Sequence, residues 1–205
     1  MPTRSDLHAY QRRAVQFALD TPYCALWLGL GLGKTISTLT AIADLIDGME
    51  VEKALVIAPL RVANTVWHSE STKWAHTEHL RVSVCTGLAR DRERALNTAA
   101  DVYVINRENV PWLVQKYGKQ WPFDCVVIDE SSSFKSSKAQ RWKALKKVRP
   151  LINRVIQLTG TMAPNGLIDL WAQIYLLDLG QRLGRTKTVY LQKWFESDCM
   201  GFKWT

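Results

Sequence analysis

The sequence contains few cysteines and no long apolar segment, and these shortages exclude several classes of protein. Its four cysteines are far apart and form no CxxC pair, so neither a zinc site nor a disulfide framework is indicated. The longest nearly uncharged run, residues 23–33, is too short to cross a bilayer. The N-terminal segment also lacks the apolar stretch of a signal peptide. We therefore expect a cytoplasmic protein that has no membrane partner.

Acidic residues are also scarce relative to basic ones. The chain has 27 Lys and Arg against 19 Asp and Glu, which gives a net charge of +8 and a pI near 9.4. Such an excess favours a polyanionic partner such as nucleic acid. Because many basic proteins bind no nucleic acid, the charge carries weight only beside independent signs of a nucleic-acid motor.

Tryptophan is abundant instead, with nine residues in the chain. Aromatic rings can stack on nucleic-acid bases, but tryptophans at helical spacing among apolar residues are more often part of a core. The tryptophans expected in the core on this ground are Trp67, Trp74, Trp142 and Trp171. Trp194 and Trp204, in the poorly patterned C-terminal tail, stay open as stacking candidates.

Short apolar segments alternate with helical patterns along the chain. Strands are predicted at residues 23–28, 53–59, 81–87, 101–106, 123–130 and 154–161. Helical patterns fill the intervals, at residues 5–20, 34–47, 61–75, 89–100, 137–148 and 166–178. Strands that lack polar alternation and are separated by helices indicate a mainly parallel sheet covered on both faces. The sequence therefore predicts an α/β fold of three layers, α/β/α, over residues 1–178.

Residues 31–35 read GLGKT between a predicted strand and a predicted helix. Glycines in such a loop let backbone N–H groups turn toward a phosphate, and the helix N-terminus adds a positive end. The candidate nucleotide-binding residues are Gly31, Leu32, Gly33, Lys34 and Thr35. The lysine would neutralise phosphates and the threonine hydroxyl would ligate Mg²⁺. The full pattern GxxxxGK[ST] has a glycine at the position of Leu28, so a glycine-softened turn is the alternative.

Two acids follow a buried strand in the segment VVIDE. At a strand end, Asp129 can hold Mg²⁺ through water while Glu130 orients or deprotonates the attacking water. An acidic pair after a strand is by itself commonly the start of a loop. Together with the Lys34 loop, in this order, the pair favours ATP hydrolysis over coincidence. The candidate catalytic residues are therefore Lys34, Asp129 and Glu130, with Thr35 and Asp129 as metal ligands.

Six segments, read together, resemble the first RecA-like lobe of a superfamily 2 helicase-like ATPase, nearest to the Swi/Snf-type DNA translocases. They are LHAYQRRAV, GLGKT, LVIAPLRVANTVWHSESTKW, VYVINREN, DESSSFKSS and LTGTMAPN. The resemblance covers nearly the whole chain and implies a RecA-like fold. It implies that Gln11 reads the adenine edge of ATP. It also removes the objection at Leu28, because that family's own loop does not require the early glycine.

The same resemblance implies contacts with the nucleic-acid backbone at two strand ends. The residues concerned are Pro59, Leu60, Arg61, Asn106 and Arg107. The alternatives are an ordinary helix N-terminus for the first group and an ordinary strand-end loop for the second.

The segment LTGTMAPN resembles the motif that links the nucleotide to a second lobe. The matching residues are Thr159, Gly160, Thr161 and Asn165. Two departures from the family pattern lie nearby. Ser132 stands where a histidine is usual, which bears on how hydrolysis is coupled to movement, and Met162 replaces a proline, which leaves the turn less rigid.

The expected function is that of an ATP-binding and hydrolysing N-terminal lobe of a DNA-dependent helicase or translocase. ATP and Mg²⁺ are the implied cofactors, and the implied partners are DNA, mainly duplex DNA through its backbone, and a second RecA-like lobe. Residues 179–205 would form a basic extension or the start of a linker to that lobe. The compact chain favours a bacterial or phage-infected cell. The alternative is a nucleotide-sensing DNA-binding module with vestigial ATPase chemistry.

Overall fold

The computed structural model describes residues 1–196, and in this range six strands form one parallel sheet. The strands are β1 (Tyr23–Trp27), β2 (Ala54–Ala58), β3 (Val82–Cys85), β4 (Val102–Asn106), β5 (Cys125–Asp129) and β6 (Arg154–Thr159). Their order across the sheet is β1-β6-β5-β2-β4-β3, and every pair is parallel. The six predicted strands and the parallel α/β fold class are confirmed.

Nine α-helices surround the sheet in the described part of the chain. They are α1 (Ala9–Asp20), α2 (Lys34–Asp47), α3 (Leu60–Thr65), α4 (Trp67–Ser71), α5 (Ala89–Asn97), α6 (Val110–Tyr117), α7 (Gln140–Val148), α8 (Leu170–Asp178) and α9 (Lys187–Trp194). None of the helices within residues 1–196 combines the length and the apolar character needed to cross a membrane.

Two hydrophobic cores lie on opposite faces of the sheet. Strand β2 shows why the strands carry no polar alternation: all five of its residues are fully buried. Leu55 and Ile57 belong to the core beneath α5 to α9, and Ala54, Val56 and Ala58 belong to the core beneath α1 to α4. Because successive side chains of a strand point to opposite faces, a sheet covered on both faces needs apolar residues at every position.

The helix predicted over residues 61–75 is wrong in its length. The structure divides this segment into α3 and α4 at Val66 and continues it in turns. The break places Trp67 at the first position of α4, where its side chain is fully buried.

Helices α6 and α9 were not indicated by the sequence patterns. Helix α6 carries the usual boundary signals, Pro111 in its first turn and Gly118 after its end with a φ of 49°. Helix α9 lies where only a basic extension was expected. Its Tyr190 is 4% exposed, and the hydroxyl group donates a 2.8 Å hydrogen bond to the carbonyl oxygen of Leu167. The division after residue 178 stays a prediction.

The expectation for the tryptophans is largely confirmed. Trp67, Trp142 and Trp171 are buried, whereas Trp74 is only partly buried. Trp194 is 59% exposed, and Trp204 lies outside the described residues.

The cysteines of the described region are buried thiols. Burial raises the pKa of Cys24, Cys85 and Cys125 to about 12, so each is protonated at neutral pH. Cys199 lies outside the described residues.

Candidate nucleotide-binding and nucleic-acid site

The glycine loop connects the end of β1 to the first residue of α2. Gly31 and Gly33 have φ values of 76° and 70°, in the left-handed region that glycine adopts without a steric cost. Gly33 is the residue that precedes α2, and Lys34 and Thr35 form the first turn of the helix. The loop therefore has the backbone geometry that the phosphate-binding prediction requires, with the positive end of a helix behind it.

Lys34 reaches back across the loop in this structure. Its Nζ atom donates hydrogen bonds to the carbonyl oxygens of Leu28, at 2.9 Å, and Gly29, at 3.0 Å. Two backbone carbonyl oxygens of the loop thus hold the lysine side chain.

Gln11 lies directly against the loop, although it comes from α1. Its side chain is 6% exposed, and its Oε1 atom accepts a 2.8 Å hydrogen bond from the backbone N–H of His8. Its Nε2 atom lies 3.4 Å from the carbonyl oxygen of Leu32 and would lie 2.2 Å from a Cβ atom on Gly33. The structure thus brings together Gln11 and the loop residues predicted to bind the nucleotide.

The acidic pair lies at the end of β5. Asp129 is 7% exposed, and its Oδ2 atom accepts a 3.1 Å hydrogen bond from the indole N–H of Trp67. Burial raises the pKa of Asp129, while the Trp67 hydrogen bond and the positive charge of Lys34 act in the opposite direction. The glycine loop follows β1 and Asp129 ends β5, and β6 lies between these two strands in the sheet.

Glu130 leaves β5 in a left-handed backbone conformation, with φ 53° and ψ 57°. Its backbone N–H donates a 3.0 Å hydrogen bond to Oδ1 of Asp129. The left-handed residue ends the strand and begins the 3-10 turn Ser131–Phe134. Non-glycine residues in this region cost about 1–3 kcal/mol and cluster at functional sites.

The place of Trp67 in the core was predicted, whereas its contact with Asp129 was not. The burial was predictable from the helical spacing of the tryptophans. The partner was not, because β2, which leads into α3 and α4, adjoins β5 only through the strand order of the folded sheet.

The ends of β2 and β4 lie side by side, with Ala58 opposite Asn106. Two of the predicted nucleic-acid contacts are open to solvent here: Leu60 is 51% exposed, and Arg61 is also exposed. Pro59 precedes them as the residue before α3 and is partly buried.

Asn106 and Arg107 are more enclosed than the residues at the end of β2. Asn106 is 6% exposed, donates to Glu108 at 3.1 Å and accepts from the amide of Asn109 at 2.6 Å. The guanidinium of Arg107 donates to Glu108 at 2.9 Å. At this strand end, Glu108 therefore holds both predicted side chains.

The predicted coupling segment follows β6, which lies between β1 and β5 in the sheet. Thr159 is buried, and its hydroxyl accepts a 3.1 Å hydrogen bond from the backbone N–H of Thr161. A Cβ atom on Gly160 would lie 3.6 Å from the carbonyl oxygen of Leu28, in the glycine loop. The backbone N–H of Asn165 donates to Oδ2 of Asp169 at 2.9 Å. The segment therefore lies next to the glycine loop.

The fold and this edge of the sheet define a RecA-like α/β domain, in which the glycine loop, the acidic pair and the segment after β6 lie at the carboxyl ends of neighbouring parallel strands. The chain belongs to the SNF2-related domain family, whose model matches residues 10–199.

Relatives and solved structures agree with this assignment. The chain is 41% identical over 194 residues to "Putative protein p41" of Acyrthosiphon pisum secondary endosymbiont phage 1, covering 91% of this chain and 42% of that protein. It is 30% identical over 171 residues to the human "DNA excision repair protein ERCC-6-like", covering 80% and 13% respectively.

A solved structure is also similar, the Sulfolobus solfataricus SWI2/SNF2 ATPase core in complex with dsDNA. The TM-score is 0.74 and the identity 26%, and the match covers 92% of this chain and 38% of that one. This chain therefore spans less than half the length of each of these three proteins.

Proposed function

We propose that this chain is the ATP-binding lobe of a DNA-dependent ATPase that moves on DNA when joined to a second lobe. The observation that carries the proposal is that the Lys34 loop and the Asp129–Glu130 pair lie at the carboxyl ends of two strands of one parallel sheet, with β6 between them. Membership of the SNF2-related domain family supports it, as does the likeness to an ATPase core solved with dsDNA.

The donor groups fit Mg²⁺. The Thr35 hydroxyl and the Asp129 carboxylate are oxygen ligands, and Mg²⁺ is usually held by one or two protein oxygens together with water and substrate phosphates. Residues 1–196 contain no group of three or more His, Cys, Asp and Glu side chains that could hold a metal by themselves. A bound Mg²⁺ would neutralise charge that develops on the phosphates.

The chain's own residues would then act as follows. Lys34 would exchange the carbonyl oxygens of Leu28 and Gly29 for phosphate oxygens. Gln11, already fixed beside the loop by His8, would present its amide to the adenine. Glu130 would orient the attacking water and accept its proton.

Contact with DNA is proposed for the adjacent ends of β2 and β4. Leu60 and Arg61 are exposed there, and Arg61 offers its positive charge to a phosphate. Thr159, Gly160, Thr161 and Asn165 would transmit the state of the nucleotide to the second lobe. The basic composition of the chain is consistent with a DNA partner.

The test is steady-state ATPase activity in the longest natural form of the protein, with and without duplex DNA. Lys34→Ala and Glu130→Gln are each expected to lower kcat by at least about 100-fold. Lys143→Ala, which removes the same charge from an exposed position of α7, is the control and should leave activity unchanged.

The rival function is a nucleotide-sensing, DNA-binding module with vestigial ATPase chemistry. The departures at Leu28, Ser132 and Met162 favour it. The intact residues Lys34, Thr35, Asp129 and Glu130 favour catalysis. Nucleotide binding without DNA-stimulated hydrolysis, or activity that neither substitution changes, would replace the first function with this one.

A further inference from the structure

Gln173 of α8 lies between the end of β5, which carries the acidic pair, and the loop that follows β6. It is fully buried, although glutamine is usually exposed in proteins. Two segments meet above it: the turn Ser131–Phe134, which follows Glu130, and the loop of residues 160–166, which follows β6. Residue 173 belongs to none of the motifs described above.

The amide of Gln173 makes hydrogen bonds to both segments. Its Oε1 atom accepts a 3.0 Å hydrogen bond from the hydroxyl of Ser131, which is also fully buried. Its Nε2 atom donates to the carbonyl oxygen of Met162 at 2.7 Å and to that of Asp169 at 3.1 Å. Both ends of the amide are therefore engaged, which fixes its orientation.

Neighbouring contacts hold this arrangement in place. The Nε2 atom of Gln157 on β6 donates a 2.7 Å hydrogen bond to the backbone carbonyl oxygen of Gln173. The ammonium of Lys135 lies 3.6 Å from Oδ2 of Asp169, the same oxygen that accepts from the backbone of Asn165. Gln173 and Asp169 thus connect the segment after the acidic pair to the loop of residues 160–166 at two positions.

We propose that Gln173 is a positioning residue that joins the loop of residues 160–166 to the end of β5. A shift of Ser131 on nucleotide binding is passed through the amide to the carbonyl group of Met162. This role rests on the proposed function, because it requires a nucleotide at the Lys34 loop. The Gln173 amide would connect the acidic pair with the loop of residues 160–166 next to Ser132, which stands where the family usually has a histidine.

The physical reason is the cost of breaking a buried connection. Residues 160–162 and 164–167 are exposed, and the contact of Met162 with Gln173 ties them to a buried group. In a low-dielectric interior, a satisfied polar network is strong, and a broken one leaves polar atoms without partners. The two segments therefore move together at lower cost than they move apart.

The test uses hydrogen exchange by mass spectrometry on the full chain, with and without Mg²⁺ and a non-hydrolysable ATP analogue. In the unmodified protein, nucleotide is expected to change the exchange rate of peptides covering residues 160–166. Gln173→Leu should abolish that change while the nucleotide Kd stays within about threefold. Trp142→Phe is the matched control. It removes a buried 2.7 Å hydrogen bond from α7 to the carbonyl oxygen of Ala172, which lies on α8 beside Gln173.

Ser131→Ala is the milder second variant, since it removes one hydrogen bond and little volume. It should reduce the nucleotide-induced change in hydrogen exchange at residues 160–166. The double variant Ser131→Ala with Gln173→Leu should show the same change in exchange as Gln173→Leu alone. A response that persists in Gln173→Leu, or that Trp142→Phe abolishes equally, would overturn the positioning role. So would nucleotide binding by the unmodified protein with no change at residues 160–166.

Failure of the proposed function has a different signature. If the unmodified protein binds no nucleotide, the ATP-binding function fails and the positioning role fails with it. If it binds nucleotide and only the exchange response departs from expectation, the positioning role alone fails.

Discussion

Glu130 adopts a left-handed backbone conformation at the point where β5 ends, and this sets the direction of its carboxylate relative to Asp129. Asp129 is fixed differently, by the indole of Trp67 and by the backbone of Glu130. The position of Asp129 therefore depends on a distant part of the chain, whereas that of Glu130 follows from its own backbone.

Replacement of Trp67 by phenylalanine tests its hydrogen bond to Asp129. The substitution keeps an aromatic ring in the core but removes the indole N–H, so the carboxylate loses one orienting partner. We expect the Mg²⁺ concentration required for half-maximal nucleotide binding to rise about tenfold. The measurement is calorimetric titration of nucleotide at a series of Mg²⁺ concentrations.

Trp121→Phe is the control for this experiment. Trp121 is also buried, but its indole N–H has no hydrogen-bond partner among the described residues. Its replacement should leave the Mg²⁺ requirement unchanged and be neutral or slightly stabilising. Equal effects of the two substitutions would show that the ring, rather than the hydrogen bond, matters at residue 67.

Alanine substitutions at Gly31 and Gly33 distinguish the cost of backbone strain from the cost of a steric collision. Both have positive φ, so alanine at either position costs about 1–2 kcal/mol. At Gly33 the new Cβ would also lie 2.2 Å from Nε2 of Gln11, whereas at Gly31 nothing lies within 4 Å. Gly33→Ala should therefore lower the free energy of unfolding more than Gly31→Ala in urea titrations. Equal losses would mean that Gln11 moves aside freely.

The last carbonyl groups of α8 accept hydrogen bonds from a residue outside the helix. Arg149 follows α7, is 3% exposed, and donates to the carbonyl oxygens of Leu176 at 2.5 Å and Leu177 at 2.5 Å and of Ile152 at 3.1 Å. Burial lowers the pKa of its guanidinium, partly offset by Tyr23. The guanidinium satisfies carbonyl groups that the last turn of a helix leaves without partners.

Arg149→Met is expected to destabilise the fold on the order of 3 kcal/mol, because it leaves buried carbonyl oxygens without donors. Lys147→Met, at an exposed position of α7, is the control and should change stability by less than about 0.5 kcal/mol. The measurement is the urea dependence of unfolding. A loss below about 1 kcal/mol for Arg149→Met would show that water replaces the guanidinium without difficulty.

Elements with strong local signals were predictable and those with weak signals were not. Strands β2 and β5 are continuous apolar segments, so their existence followed from pattern alone. The division of residues 61–75 into α3 and α4 carries no such signal. Helix α9 was missed because its apolar residues lack a regular helical period, and the packing of Tyr190 on the core stabilises it instead.

The whole chain carries a net charge of +8, which would add a long-range attraction for the DNA partner proposed above. Duplex affinity is expected to fall steeply with salt concentration, as counterions are released from phosphates. Arg61→Ala should reduce the slope of log K against log salt by about 1.

Lys119→Ala is the matched control, because Lys119 is exposed and precedes β5 at the opposite edge of the sheet. Its removal should leave the salt dependence almost unchanged. A duplex affinity of the unmodified protein that does not change with salt concentration would contradict a DNA contact at the end of β2. Equal effects of the two substitutions on the salt dependence would contradict it as well.

The fold class, the strands, the glycine loop and the acidic pair were predictable from the order of the amino acids, because they depend on local pattern and on residue types with few alternatives. Three features became visible only in the folded chain: β6 lies between β1 and β5, Trp67 contacts Asp129, and Gln173 connects Ser131 with Met162. The physical reason is that such contacts join residues far apart in the chain. They depend on strand order and on burial, and local sequence pattern specifies neither.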